Sequence, residues 1–323
     1  TPKTPETENL INAEAFAKMK DGVRIINCAR GGIVNEVDLL AALKSGKVVG
    51  AALDVYTQEP PADYEPFTHP NLVATPHLGA STVEAQVNVA IDVIKEVMAA
   101  LRGQPLRNAV NLPMLRPEAF TKVKPYLELG ERLGKFMAQI HPGALRQVEI
   151  TYSGILADMT VSPITNAVLK GLFRPAFGNE VNSVNAPYLA RKRGIKVVET
   201  KHSNGNYSNL IELQIQTDVG TEKVAASLFA DQQKIVQIGE YRIDARPEGY
   251  LLVTKHKDRP GMIGAVGTIL GDAAINIAGM QLGRSDVGGE AVMVLEVDHP
   301  IPADLLKKLE RYPDINKVHF VTL

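Results

Sequence analysis

The chain has 323 residues, 45% hydrophobic and 22% charged, the composition of an ordinary globular protein long enough for two or three domains. A net charge of -1, with Lys and Arg spread along the chain, gives no electrostatic footprint for nucleic acid or an anionic membrane. Cys28 is the only cysteine, which excludes an intrachain disulfide scaffold and fits a reducing cytoplasm. No apolar run approaches the roughly 20 residues of a membrane helix, and no basic-then-apolar leader is present. The first residues, Thr1-Pro2-Lys3-Thr4-Pro5, carry no initiator Met and run quickly into a strand, so a truncated start is expected.

Residues 1–107 alternate strand and helix. Val23 to Asn27 is a short apolar run that reads as a buried parallel strand. Asn35 to Lys44 follows as a helix, with Asn35 as its N-cap and Gly46 as its stop. Val48 to Val55 and Asn71 to Thr75 are two further buried strands. The clearest helix comes next: Ser81 and Glu84 fit a capping box, and Val83, Val87, Ala90, Ile91, Ile94, Val97, Met98 and Leu101 share one face. Arg102-Gly103-Gln104-Pro105 stops it. This alternation is the C-terminal half of a Rossmann-like doubly wound α/β sheet.

Asn108 to Pro113 reads as a linker into an α+β domain spanning residues 108–248. That domain is expected to hold a helix over Pro125–Gln139, a strand at Gln147–Tyr152 and helical stretches within 162–193. Strands are expected at Lys196–Thr200, Leu210–Thr217 and Lys223–Phe229. Residues 249–323 read strand, helix, strand, strand, helix, strand, the ferredoxin-like βαββαβ order, with Pro260 as the first residue of a helix.

The chemistry lies in the first hundred residues. Arg30 follows the first strand, Glu59 the second and His77 the third, and in an open α/β sheet the carboxyl ends of strands face the ligand crevice. Oxidising a 2-hydroxy acid needs such a set. An imidazole takes the hydroxyl proton, a carboxylate orients the imidazole, and a guanidinium grips the substrate carboxylate in a plane. Each residue alone also fits a plain role: a solvated turn arginine, a solvated acid in a Pro-rich loop, a strand-end histidine satisfied by backbone. Asp54 could simply cap a turn. Their common placement on one sheet edge favours the chemical reading.

Asn27-Cys28-Ala29-Arg30-Gly31-Gly32-Ile33-Val34-Asn35-Glu36, then Ala52-Leu53-Asp54-Val55 through Glu59-Pro60, then Thr75-Pro76-His77-Leu78-Gly79-Ala80-Ser81-Thr82, resembles the D-isomer-specific 2-hydroxyacid dehydrogenases. The resemblance implies Arg30, Glu59 and His77 as catalytic residues. It also implies NAD as cofactor, with Ala29, Arg30, Asp54, His77 and Gly79 along its nicotinamide end. The Gly-rich turn and the ribose-binding acid of that family would lie upstream of Thr1, so the chain alone is expected not to turn over.

The tail narrows the resemblance. His256-Lys257-Asp258-Arg259-Pro260-Gly261 followed by Ala274-Ile275-Asn276-Ile277-Ala278 resembles an ACT regulatory domain. Joined through an intervening domain to this dehydrogenase type, it resembles the long form of the D-3-phosphoglycerate dehydrogenase family. That implies oxidation of 3-phosphoglycerate to 3-phosphohydroxypyruvate, with L-serine as feedback effector. His256, Asp258 and Asn276 would line the effector site where two such domains pair, in an even-numbered homo-oligomer, dimer or tetramer. Lys234 and Arg246 read either as exposed cations or, by the same resemblance, as an anion site. His69, His141, His202, His299 and His319 lack ligand spacing, so no metal is expected. Two alternatives stay open: an amino-acid-sensing and oligomerisation module without catalysis, and a dehydrogenase of another 2-hydroxy acid.

Overall fold

The computed structural model describes every residue except 103, 105, 107, 114–116 and 204–206, and only the backbone of Pro66 and Pro117. The chain divides into two compact units, Thr1–Gln104 and Pro105–Leu323.

In the first unit, α1 (Ala13–Lys18) precedes β1 (Val23–Asn27), and α2 (Glu36–Lys44) leads to β2 (Val48–Leu53) and β3 (Leu72–Ala74). Asn35 caps α2 as expected, its Oδ1 accepting from the Asp38 amide at 3.0 Å. The three strands form a parallel sheet in the order β1-β2-β3. Phe16 of α1 and Leu39 and Leu43 of α2 pack with Val48, Ala51 and Leu53 to make its core.

The register puts Ile26, Ala52 and Val73 in one row on the other face. There Ile26 is 76% exposed and Val73 64%. The expectation of buried strands therefore holds for one face only, because α1 and α2 cover a single side.

The long helix α3 (Val83–Leu101) forms, but with a different cap: Thr82 Oγ1 accepts from the Ala85 amide at 3.1 Å, so the Ser81–Glu84 capping box does not form. None of its residues is buried, although its apolar face was expected to seek a core. Arg102 is its C-cap, while Gly103 and Pro105 of the expected stop lie outside the described residues.

The second unit opens with α4 (Pro117–Ile140), β4 (Leu145–Gly154), α5 (Ser162–Phe177) and α6 (Ala186–Lys192). Five strands follow: β5 (Lys196–His202), β6 (Asn209–Thr217), β7 (Gly220–Phe229), β8 (Gln232–Ile238) and β9 (Tyr241–Ala245). They form a six-stranded sheet in the order β5-β4-β6-β7-β8-β9, with β4 and β5 parallel and the rest antiparallel. Strands β8 and β9 were not expected from the sequence. Helices α4 and α5 touch backbone to backbone, since a Cβ on Gly134 would overlap the Val168 carbonyl and one on Gly171 the Glu131 carbonyl.

The unit ends with β10 (Tyr250–Lys257), α7 (Met262–Asp272), β11 (Ile277–Arg284), β12 (Glu290–Val297), α8 (Ala303–Glu310) and β13 (Ile315–Thr322). These build an antiparallel sheet of order β11-β12-β10-β13, the ferredoxin-like arrangement. Pro260 is not helical. Gly261, at φ 92°, is the N-cap of α7, a conformation that favours glycine. One sheet face packs on the helices, Leu252 meeting Met262, Val266, Leu270 and Leu309. The other face supplies Leu251, Val253, Val292, Val294 and Val321 to the core of the six-stranded sheet, beside Ile140, Ile238 and Ala245.

Candidate active site at the carboxyl edge of the parallel sheet

Each strand of the first unit ends in a turn pinned by a side chain. After β1, buried Asn27 accepts from the Ala29 amide and donates to the Arg30 carbonyl, both at 3.1 Å, which shapes the Cys28–Arg30 turn. After β2, Glu36 at the start of α2 accepts from both the amide and hydroxyl of Thr57, at 2.6 and 2.9 Å. Gly31 presses against the Tyr56 carbonyl so closely that any Cβ would collide with it. The arginine turn is thereby seated on the loop that carries Glu59.

After β3, the backbone bends left-handed at His77, with φ 54°, a conformation costly for a side chain larger than glycine's. That bend aims consecutive amides at Asp54: Leu78 and Gly79 donate to its two oxygens at 2.7 and 2.8 Å, and the Thr75 hydroxyl donates at 2.6 Å. Hydrogen bonds from Thr75 and then Leu78 hold the Asp54 carboxyl below its ordinary range. Tyr56 ties the same strands together, its hydroxyl 2.7 Å from the Thr75 carbonyl and 3.1 Å from that of Leu53.

On this frame Glu59 and His77 meet. Glu59 Oε2 lies 2.7 Å from His77 Nδ1, and its Oε1 accepts from the Tyr56 amide at 3.0 Å. The bond to His77, then that to the Tyr56 amide, lowers the Glu59 carboxyl below its ordinary range. The pair borders a cavity of about 420 Å³ walled by Tyr56, Tyr64, Phe67 and Pro76.

Arg30 stands at the same edge but does not line that cavity. Its exposed guanidinium folds back, Nη1 donating to the Ala29 carbonyl at 2.7 Å. Of the three side chains expected around one point, Glu59 and His77 are hydrogen-bonded to each other while Arg30 bonds to its own turn. An exposed guanidinium takes the nearest carbonyl when no carboxylate is at hand. Asp54, expected to face a cofactor, spends both oxygens on the His77 turn, and the Gly79 amide is spent on Asp54. Tyr56, Thr75, Glu36 and Asn27 were missed. For Asn27, Tyr56 and Thr75 the usable signal was position, a polar or amphipathic side chain within a few residues of a strand end; Glu36 sits instead in the first turn of α2.

In the tail, the expected effector residues do not gather within one chain. His256 is 1% exposed, with Nδ1 3.3 Å from Thr254 Oγ1, and burial pushes its imidazole down. Asp258 accepts from Arg284 at 2.9 Å and the Gly288 amide at 3.3 Å. Asn276 donates to Asp298 at 2.8 Å. Lys257 pairs with Glu290 and Tyr250 with Val297, while β11 runs from Ile277 beside Val297 to Arg284 beside Ala291. Asn276 therefore stands at the opposite end of the sheet from His256 and Asp258. Lys234 is neutralised by Asp244 at 2.8 Å, whereas Arg246 is exposed with Glu248 3.9 Å away.

Residues 1–79 match the family model of the D-isomer specific 2-hydroxyacid dehydrogenase NAD binding domain. Residues 122–239 match the D-3-phosphoglycerate dehydrogenase intervening domain, and 250–314 the ACT domain. The first of these matches covers the parallel sheet and the edge that carries Glu59 and His77. Along its whole length the chain is 44% identical to D-3-phosphoglycerate dehydrogenase of Bacillus subtilis (strain 168) and 43% to that of Synechocystis sp., covering 62% and 59% of those proteins. It is 41% identical to that of Methanocaldococcus jannaschii, covering 62%. The chain is similar along its whole length to D-3-phosphoglycerate dehydrogenases, and it spans about three-fifths of the length of these relatives. Among the described residues, no helix is long and apolar enough to cross a membrane.

Proposed function

We propose that the chain serves an NAD-dependent oxidation of 3-phosphoglycerate to 3-phosphohydroxypyruvate, the entry to L-serine synthesis, in the cytoplasm. The observation that carries this reading is the 2.7 Å contact between Glu59 and His77 at the carboxyl edge of a parallel sheet. With Glu59 ionised, Nδ1 of His77 carries the shared proton and Nε2 is left to take a proton from a hydroxyl. NAD, when bound, supplies the acceptor for the hydride that leaves the same carbon. The residues present fit its nicotinamide end, because the Asp54-pinned turn offers a rigid backbone surface beside the imidazole. Ala29 and Arg30 would border it from the β1 turn. Arg30 grips the substrate carboxylate once it leaves the Ala29 carbonyl, its other N–H groups having no partner among the described residues.

The domain limits that go with this reading are 1–107, 108–248 and 249–323. Residues 249–323 sense serine, with His256 and Asp258 of one chain meeting Asn276 of a second. Their placement at opposite ends of one sheet supports this, since antiparallel pairing of two chains brings opposite ends together. A homodimer or tetramer follows. Lys234 and Arg246 form an anion site only if an incoming anion displaces Asp244 from Lys234.

The test is NADH formation by the natural gene product given 3-phosphoglycerate or unphosphorylated 2-hydroxy acids. Turnover that prefers the phosphorylated acid and falls on adding serine is expected. Equal or better turnover of an unphosphorylated acid would transfer the chemistry to another substrate.

A further inference from the structure

The sheet of residues 249–323 and the six-stranded sheet leave a gap where they meet. Between them lies a cavity of about 310 Å³, floored by apolar residues such as Ile238 and Val253. Its polar lining includes Lys255, Lys317, His319, Glu222, Glu240 and Glu290. The strand register accounts for the cations: Lys255 directly faces Lys317 across the β10–β13 pair, and His319 follows two residues on, opposite Val253. Like charges set directly opposite destabilise a strand pair.

Lys255 is answered by Glu290, 3.1 Å away, which also accepts from Asn316 at 3.0 Å. Lys317 and His319 have no side-chain hydrogen bond or ion pair among the described residues, and neither has Glu240. Glu222 uses one oxygen on the Lys223 amide. Burial first, then Lys317 and His141, pushes the His319 imidazole down, and an arriving carboxylate would relieve that cost.

Unanswered groups of both signs therefore share one small space. A bare anion would meet three carboxylates there, and a bare cation two ammonium groups. A molecule that carries both charges a few ångströms apart satisfies the lining from both sides. The volume sits at the low end of small-molecule sites, which start at roughly 300 Å³.

We propose that this cavity binds a free α-amino acid as its zwitterion, carboxylate toward Lys317 and His319 and ammonium toward Glu240 and Glu222. Bound there, it bridges the two sheets. The site is separate from the paired-chain serine site proposed above, because His256 points to the helix-covered face of β10 and Lys255 to the opposite face.

The experiment uses the 323-residue chain with Asn276→Ala, which removes the paired-chain serine reading from the result. Glycine and L-serine are titrated calorimetrically, with acetate and methylammonium as half-ligands, and the His319 ring is followed by NMR. Saturable binding of glycine or serine that moves the His319 resonance is expected. Lys317→Met and Glu240→Gln should each weaken it by about tenfold or more, as loss of a charged hydrogen bond does. Both half-ligands should bind at least about tenfold more weakly than glycine. Lys317 and Glu240 are exposed, and unchanged unfolding midpoints confirm that the variants fold. The proposal is overturned by no saturable binding of either amino acid up to about 10 mM. Indifference to both substitutions, an unmoved His319 resonance, or acetate binding as tight as glycine would overturn it too.

Discussion

His77 Nδ1 and Glu59 Oε2 stand 2.7 Å apart although 18 residues separate them in the chain, and the second oxygen of Glu59 is fixed by the Tyr56 amide. A carboxylate held at both oxygens cannot rotate away, so the imidazole keeps one orientation and one tautomer. Replacing His77 by Ala in the natural gene product should lower the chemical step by roughly two to four orders of magnitude. NAD affinity should change little, which fluorescence titration checks. A matching loss of cofactor affinity would assign His77 to binding instead.

Gly31 seats the arginine turn on the Tyr56 carbonyl, and the obstacle to any Cβ there is backbone, which cannot rotate aside. Gly31→Ala should therefore cost about 1–3 kcal/mol, the range for overpacking, and push Arg30 away from the Glu59 loop. Urea unfolding gives the first quantity. Loss of turnover in the natural gene product, with His77 intact, gives the second.

Asp54 supplies a prediction about acid. Its folded carboxyl titrates below the ordinary range, so the stability it gives the His77 turn is complete above the unfolded value, near pH 4. That stability is lost as pH falls through the folded value. The Leu78 and Gly79 amides should exchange slowly at neutral pH, after correction for intrinsic rates, and lose protection in acid. Asp54→Asn should remove that protection at every pH, and protection that survives would break the proposed link.

His256 and His319 act at milder pH. Burial lowers both imidazoles, so the unfolded chain binds protons that the folded chain refuses. Stability of the second unit should be level above about pH 6.5 and decline below it. Denaturation of the wild-type chain and of His256→Gln between about pH 7.5 and 5.5 checks this. The variant should show a flatter dependence, and an equally steep one would exclude His256.

The parallel strands, the Asn35 cap and the six-element order of the tail were legible, because apolar runs, capping side chains and strand spacing are local signals. Arg30, Glu59, Asp54 and His77 were legible as strand-end residues, and family resemblance attached roles to them. What was not legible is which neighbour each would take. Ser81 and Thr82 are both competent caps, and geometry chose Thr82. Asp54 reads equally as a turn cap or a cofactor contact until the left-handed turn at His77 brings two amides onto it. Strands β8 and β9 escaped because Gly239 packs them into one tight hairpin of mixed polarity, with no clean alternation to follow.

The sheet of residues 249–323 shows oil to both sides, toward its own helices through Leu252 and toward its neighbour through Leu251, Val253 and Val321. Severing the chain at residue 249 would wet that second side on both pieces, so residues 249–323 should not be portable. Its melting and that of the adjoining sheet should be one event, and any strain written into either should be felt by the other without a hinge to absorb it.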